Sequence, residues 1–109
     1  MNSVIQVIEP EGILDSTKTA DFHRQIEQCI ESGVDTILID FTNVTFMDSS
    51  GLGALVKALK TLQAGSVQLF LCSINEQIKM LFELTSMDNF FNILDDREEF
   101  EGYIQQKKA

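Results

Sequence analysis

Long apolar runs, basic clusters and closely spaced cysteines are all missing from this chain, and each absence closes off a class of function. No hydrophobic stretch approaches the roughly 20 residues that span a membrane. The start, Met1-Asn2-Ser3-Val4, lacks the positive region that opens a secretory signal, so a cytoplasmic location is expected. Eight Lys plus Arg stand against 17 Asp plus Glu, a formal net charge of −9. The longest basic run is Lys107-Lys108, too little to neutralise a phosphate backbone, which argues against nucleic acid as a direct partner. Cys29 and Cys72 have no C-x-x-C spacing and sit in apolar segments, which reads as buried small hydrophobes. His23, beside Arg24, is the single histidine. It has no Cys or His partner for zinc, and a surface position is expected.

What is present fits one compact α/β domain over residues 1–109, with 44% hydrophobic and 23% charged residues and room for a single core. No repeat, linker or low-complexity tract divides it. The period of the apolar residues switches repeatedly between strand and helix. Ser3 to Ile8 reads as a strand, Pro10-Glu11-Gly12 as a turn and Ile13-Leu14 as a short extended piece. Asp15, Ser16 and Thr17 can each cap a helix whose stripe is Phe22, Ile26, Cys29 and Ile30 and which stops at Gly33. Thr36 to Phe41 is the apolar, β-branched pattern of a strand covered on both faces. After Gly65-Ser66, Val67 to Cys72 is a further strand, and Asn75 caps a helix carrying Ile78, Leu81 and Phe82. Asn89 to Ile93 reads as extended, and Asp95-Asp96 open a last helix with Phe100, Tyr103 and Ile104, ended by Lys107-Lys108, which suit its dipole. Alternating elements of this kind make a sheet with packed helices.

The run that carries chemistry is Met47-Asp48-Ser49-Ser50-Gly51-Leu52-Gly53. Downstream of it, Leu52, Leu55, Val56, Leu59 and Leu62 recur at three- and four-residue spacing and form the buried stripe of a helix. At about 100° per residue, Ser50, Gly53, Lys57 and Lys60 fall on the outward side, so the exposed face begins at the serines. A phosphate added there meets free helix N–H groups and the positive end of the dipole. The simpler reading is structural: Ser49 and Ser50 cap the helix, and Gly51 and Gly53 permit close packing. Asp15 then caps its own helix, Asp40 shapes the turn after its strand, and Lys57 and Lys60 are a solvated face.

The order of elements and the run Asp48-Ser49-Ser50-Gly51-Leu52-Gly53 together resemble the STAS family, and within it the bacterial anti-sigma factor antagonists. Gly12-Ile13-Leu14-Asp15 is similar to the family's Gly-x-Leu-Asp loop, and Ile37-Leu38-Ile39-Asp40 to its central strand. The resemblance implies a STAS-like fold, expected here as a small mixed sheet of four to five strands with about four helices. It implies a non-enzymatic switch without cofactor, phosphorylated on Ser49 by a serine-kinase anti-sigma factor and restored by a PP2C-type phosphatase. The unphosphorylated form binds the kinase and frees the sigma factor; the phosphorylated form lets go. Asp15 matches a family aspartate near the acceptor, and Asp48 immediately precedes it. Ser50, Gly51, Leu52, Gly53 and Lys57 complete the expected surround; the Ser50 hydroxyl either hydrogen-bonds in the first helical turn or takes the phosphate in place of Ser49. Two other readings stand beside this one. A STAS scaffold or small-ligand module in another pathway needs no phosphorylation. A small hydrolase needs Ser49 or Ser50 as nucleophile, His23 as base and Asp15 or Asp40 to orient it, but the run is not G-x-S-x-G.

Overall fold

A computed structural model describes residues 4–108. The first strand, β1, runs Ile5–Ile8, and the Ser3 start expected for it lies outside the described residues. β2 (Gly12–Leu14) follows a turn, with Gly12 at φ 73°, a left-handed conformation open to glycine at no steric cost. Helix α1 spans Thr19–Glu31 and buries Phe22, Ile26 and Cys29. It ends at Ser32, with Gly33 in the left-handed conformation at φ 80°. None of the three expected caps serves α1: Lys18 occupies the cap position without a side-chain bond. Asp15 instead closes a turn one step earlier, its carboxylate accepting from the Thr17 N–H and hydroxyl.

β3 (Thr36–Asp40) is buried at all five positions, as its apolar run requires. β4 (Val44–Met47) is a separate strand that the sequence did not reveal: only its first and last residues are buried, which departs from the alternation of a half-buried strand. Helix α2 (Ser49–Ala64) leads through Gly65 to β5 (Gln68–Cys72). Asn75 caps α3 (Glu76–Leu84) as expected, its Oδ1 accepting from the Ile78 N–H at 2.9 Å. A left-handed Ser86 then starts a 3₁₀ turn over Met87–Asn89, which displaces the last strand, β6, to Asn92–Leu94. Phe91 before it is buried, stacked on Phe82 with ring centroids 5.5 Å apart. Helix α4 runs Arg97–Lys108, and the Asp96 carboxylate accepts from the Glu99 N–H in its first turn. The side chains of Lys107 and Lys108, expected to suit its dipole, lie outside the described ones.

The α/β class and the four helices are as expected, while the strands are organised differently in detail. One mixed sheet is replaced by two parallel ones: a four-stranded sheet in the order β1-β3-β5-β6, and a β2-β4 pair. Side chains alternate across the larger sheet. Ile37, Ile39, Leu69 and Leu71 join the main core with residues from α1, α2 and α3, whereas Leu38, Phe70 and Cys72 pack against Phe100 and Ile104 of α4. Both cysteines are buried and unpaired, and burial pushes both thiols up. Among the described residues no helix is long and apolar enough to cross a membrane.

Candidate functional site

The small sheet builds the site by bringing two strand ends together. Leu14 at the end of β2 is in register with Met47 at the end of β4, and the Asp48 N–H donates to the Leu14 carbonyl at 3.3 Å. Asp15 and Asp48, far apart in sequence, thus leave adjacent strands side by side. Asp48 is extended (φ −105°, ψ −174°) and caps α2, its Oδ1 accepting from the Ser50 N–H at 2.9 Å and the Gly51 N–H at 3.1 Å. Neither serine is the cap. Ser49 is the first helical residue and Ser50 the second, and both are exposed. Ser50 is tied through its backbone N–H; the hydroxyl bond expected of it is not formed among the described residues.

The two glycines of the run differ. A Cβ on Gly51 would lie 2.4 Å from the Leu14 carbonyl oxygen and 2.9 Å from Met47 Cγ, whereas one on Gly53 would meet open space. Gly51 is what lets α2 start against the strand ends. Leu52 is 6% exposed and belongs to the core, so it supports the site from beneath. Lys57 is exposed two turns further along, about 12 Å up the helix axis from Ser49. With Thr19, Ala20, His23 and Gly53 it lines a shallow depression between α1 and α2. Hydrogen bonds from Thr17, aided by the Lys18 charge, hold the Asp15 carboxyl below its usual range against a small opposing effect of burial. Two apolar side chains flank the site: Ile13 and Phe46, partners in the β2-β4 register, are 48% and 44% exposed.

The arrangement displays the Ser49 hydroxyl at the exposed head of α2. Half-buried His23 faces the α1-α2 depression, and Asp40 points to the α4 side of the sheet, bonded to Thr42 and to Arg97 Nε at 2.7 Å. Among the described residues, His23 makes no hydrogen bond to Ser49, Ser50, Asp15 or Asp40. The cavity beneath the Asp48-Ser49 turn, lined by Leu14, Asp15, Phe22, Gly51 and neighbouring side chains, has a volume of about 10 Å³, room for roughly one water. Asp40 does shape its turn, accepting from the Thr42 N–H at 2.9 Å, but its ion pair with Arg97 went unseen in the sequence. So did Gln77, whose carboxamide bonds the Met47 backbone. The two residues of each pair are 57 and 30 positions apart, and neither spacing carries a signal.

The STAS domain profile matches residues 2–100. The anti-sigma-B factor antagonist of Staphylococcus aureus is 28% identical over 87 residues, 80% of this chain and 81% of that protein. A Thermotoga maritima candidate anti-sigma factor antagonist shares the fold with a TM-score of 0.85 at 22% identity, over 95% of this chain and 92% of its own. Bacillus SpoIIAA in its phosphorylated form gives a TM-score of 0.70 at 23% identity, over 94% of each chain. At these identities the solved structures speak for the fold, and the profile match speaks for descent. The chain belongs to the STAS domain family.

Proposed function

We propose that this protein is an anti-sigma factor antagonist that switches by phosphorylation of Ser49. The observation that carries the reading is the exposed Ser49 hydroxyl at the head of α2, directly after the capping Asp48, in a chain whose curated relatives include the S. aureus anti-sigma-B factor antagonist. The partner is a serine kinase that is also an anti-sigma factor, and a PP2C-type phosphatase reverses the mark. The antagonist is cytoplasmic, needs no cofactor and catalyses nothing: the partner's ATP supplies the phosphate. Asp15, Asp48, Ser50, Gly51 and Gly53 shape the acceptor turn, Leu52 supports it and Lys57 lies at its margin.

Before modification, the partner packs on the turn and on the neighbouring Ile13-Phe46 surface. Phosphoserine then adds about −1.5 to −2 charge beside Asp48 and Asp15 in a protein already at −9. Desolvating that charge at an interface, next to two carboxylates, costs several kcal/mol and releases the partner without rebuilding the domain. The test is phosphosite mapping by mass spectrometry after incubation with native-cell lysate, ATP and phosphatase inhibitors, followed by pull-down with Ser49→Ala and Ser49→Asp. Phosphate on Ser49, capture of a kinase by the alanine variant and loss of capture by the aspartate variant are expected. An unmodified chain in a lysate with active serine kinases, or equal capture by both variants, would favour a constitutive STAS scaffold.

A further inference from the structure

Among the described residues, β4 has a strand partner on one edge only, β2. Backbone groups alternate sides along a strand. The Asp48 N–H turns toward Leu14, so the N–H and carbonyl of Met47 face the opposite edge. There, the Gln77 side chain on α3 accepts from the Met47 N–H at 2.9 Å and donates to the Met47 carbonyl at 2.8 Å. Asn75 reaches β4 as a donor only, its amide nitrogen donating to the carbonyls of Val44 at 3.3 Å and Thr45 at 3.2 Å. A primary amide carries the same donor and acceptor as a peptide group, so the two side chains stand where a further strand would be. Asn75 also caps its own helix. The Gln77 side chain, among the described residues, bonds Met47 alone.

Met47 is fully buried, and the next two residues are the cap Asp48 and the acceptor Ser49. Resting on the reading of Ser49 as phosphoacceptor, we propose that Gln77 is a positioning residue for phosphoryl transfer. It fixes Met47 from one side while Leu14 fixes Asp48 from the other, and so sets the direction in which Ser49 Oγ is offered. A displacement near 1 Å is enough to slow a positioned reaction by about 100-fold, so this bracing acts on the rate of the chemical step and leaves the docking surface intact.

The test compares wild type, Gln77→Met and Gln77→Glu by amide hydrogen exchange and by the initial rate of Ser49 phosphorylation in native-cell lysate with ATP, over a range of antagonist concentrations. In Gln77→Met, the Met47 amide should exchange at least about tenfold faster while Ile37, Leu38 and Ile39 stay protected. The saturating phosphorylation rate should fall about tenfold or more, with the half-saturating concentration within about twofold of wild type. In Gln77→Glu a carboxylate oxygen replaces the amide donor and opposes the Met47 carbonyl oxygen, so both readouts should change at least as far as in Gln77→Met. An undiminished rate in Gln77→Met overturns the inference, as does a rate loss accompanied by equally faster exchange in β3, which marks general loosening. An unmodified wild-type Ser49 overturns the acceptor reading itself.

Discussion

Gly51 and Gly53 stand two residues apart in one helix and predict opposite effects of the same substitution. In Gly51→Ala the new methyl would press on the Leu14 carbonyl oxygen at 2.4 Å, a backbone atom that cannot step aside, and should destabilise by about 1–3 kcal/mol. Gly53→Ala meets nothing and replaces the costliest non-proline residue of a helix interior, so a gain of up to about 1 kcal/mol is expected. Urea unfolding of the two variants against wild type measures both. At Asp48, replacement by Ala should cost about 1 kcal/mol through the lost cap, while Asn should retain most of it. The sequence made this site legible as a helix start, because Asp, Ser and Ser are all cap residues. Read from the sequence, the cap falls on Ser49 and Ser50; in the structure it is Asp48. The choice is made by Leu14, whose carbonyl draws the Asp48 N–H into the extended conformation a cap needs.

Among the elements, α4 has the sheet face of Leu38, Phe70 and Cys72 to itself, and it is pinned by one cation. Arg97 bonds Asp40 Oδ2 at 2.7 Å and Glu9 Oε1 at 2.9 Å, joining the first turn of α4 to the ends of β3 and β1. Burial pushes the Asp40 carboxyl up, but hydrogen bonds from Thr42 and Arg97, with the Arg97 charge, prevail and hold it below its usual range. A lowered carboxyl contributes stability above its unfolded pKa of about 3.9 and loses it as pH falls through the folded value. Stability should therefore drop as pH falls below about 4, and Asp40→Asn should make that drop shallower in urea titrations at stepped pH. Arg97→Ala, which leaves Asp40 buried without its cation, should cost about 1–3 kcal/mol at neutral pH. Elements with sustained period, such as β3 and α2, could be read from the chain because burial alone shapes them. β4 could not: its existence depends on β2 along one edge and two α3 side chains along the other.

Taken whole, the molecule has two cores on either side of one four-stranded sheet, with the Asp48-Ser49 turn on a separate pair of strands. We propose that it nevertheless unfolds as one domain, since β3 and β5 contribute side chains to both cores; coincident urea transitions by circular dichroism and tyrosine fluorescence are expected. Amide shifts on phosphorylation should be confined to the ends of β2 and β4 and the first turn of α2, leaving β5 and α4 unmoved. The Asp48 carboxylate already takes two of the N–H groups at the head of α2, so the sequence-based picture of a phosphate settling onto that helix end needs amending. On the proposed reading, a phosphoryl group on Ser49 would meet a helix head whose Ser50 and Gly51 N–H groups are already taken by an anion, and would face water instead. Held that way it would not be sequestered: the exposure that offers the Ser49 hydroxyl to a kinase would leave the phosphate open to a hydrolase, so the mark would be erasable without unfolding any part of the domain.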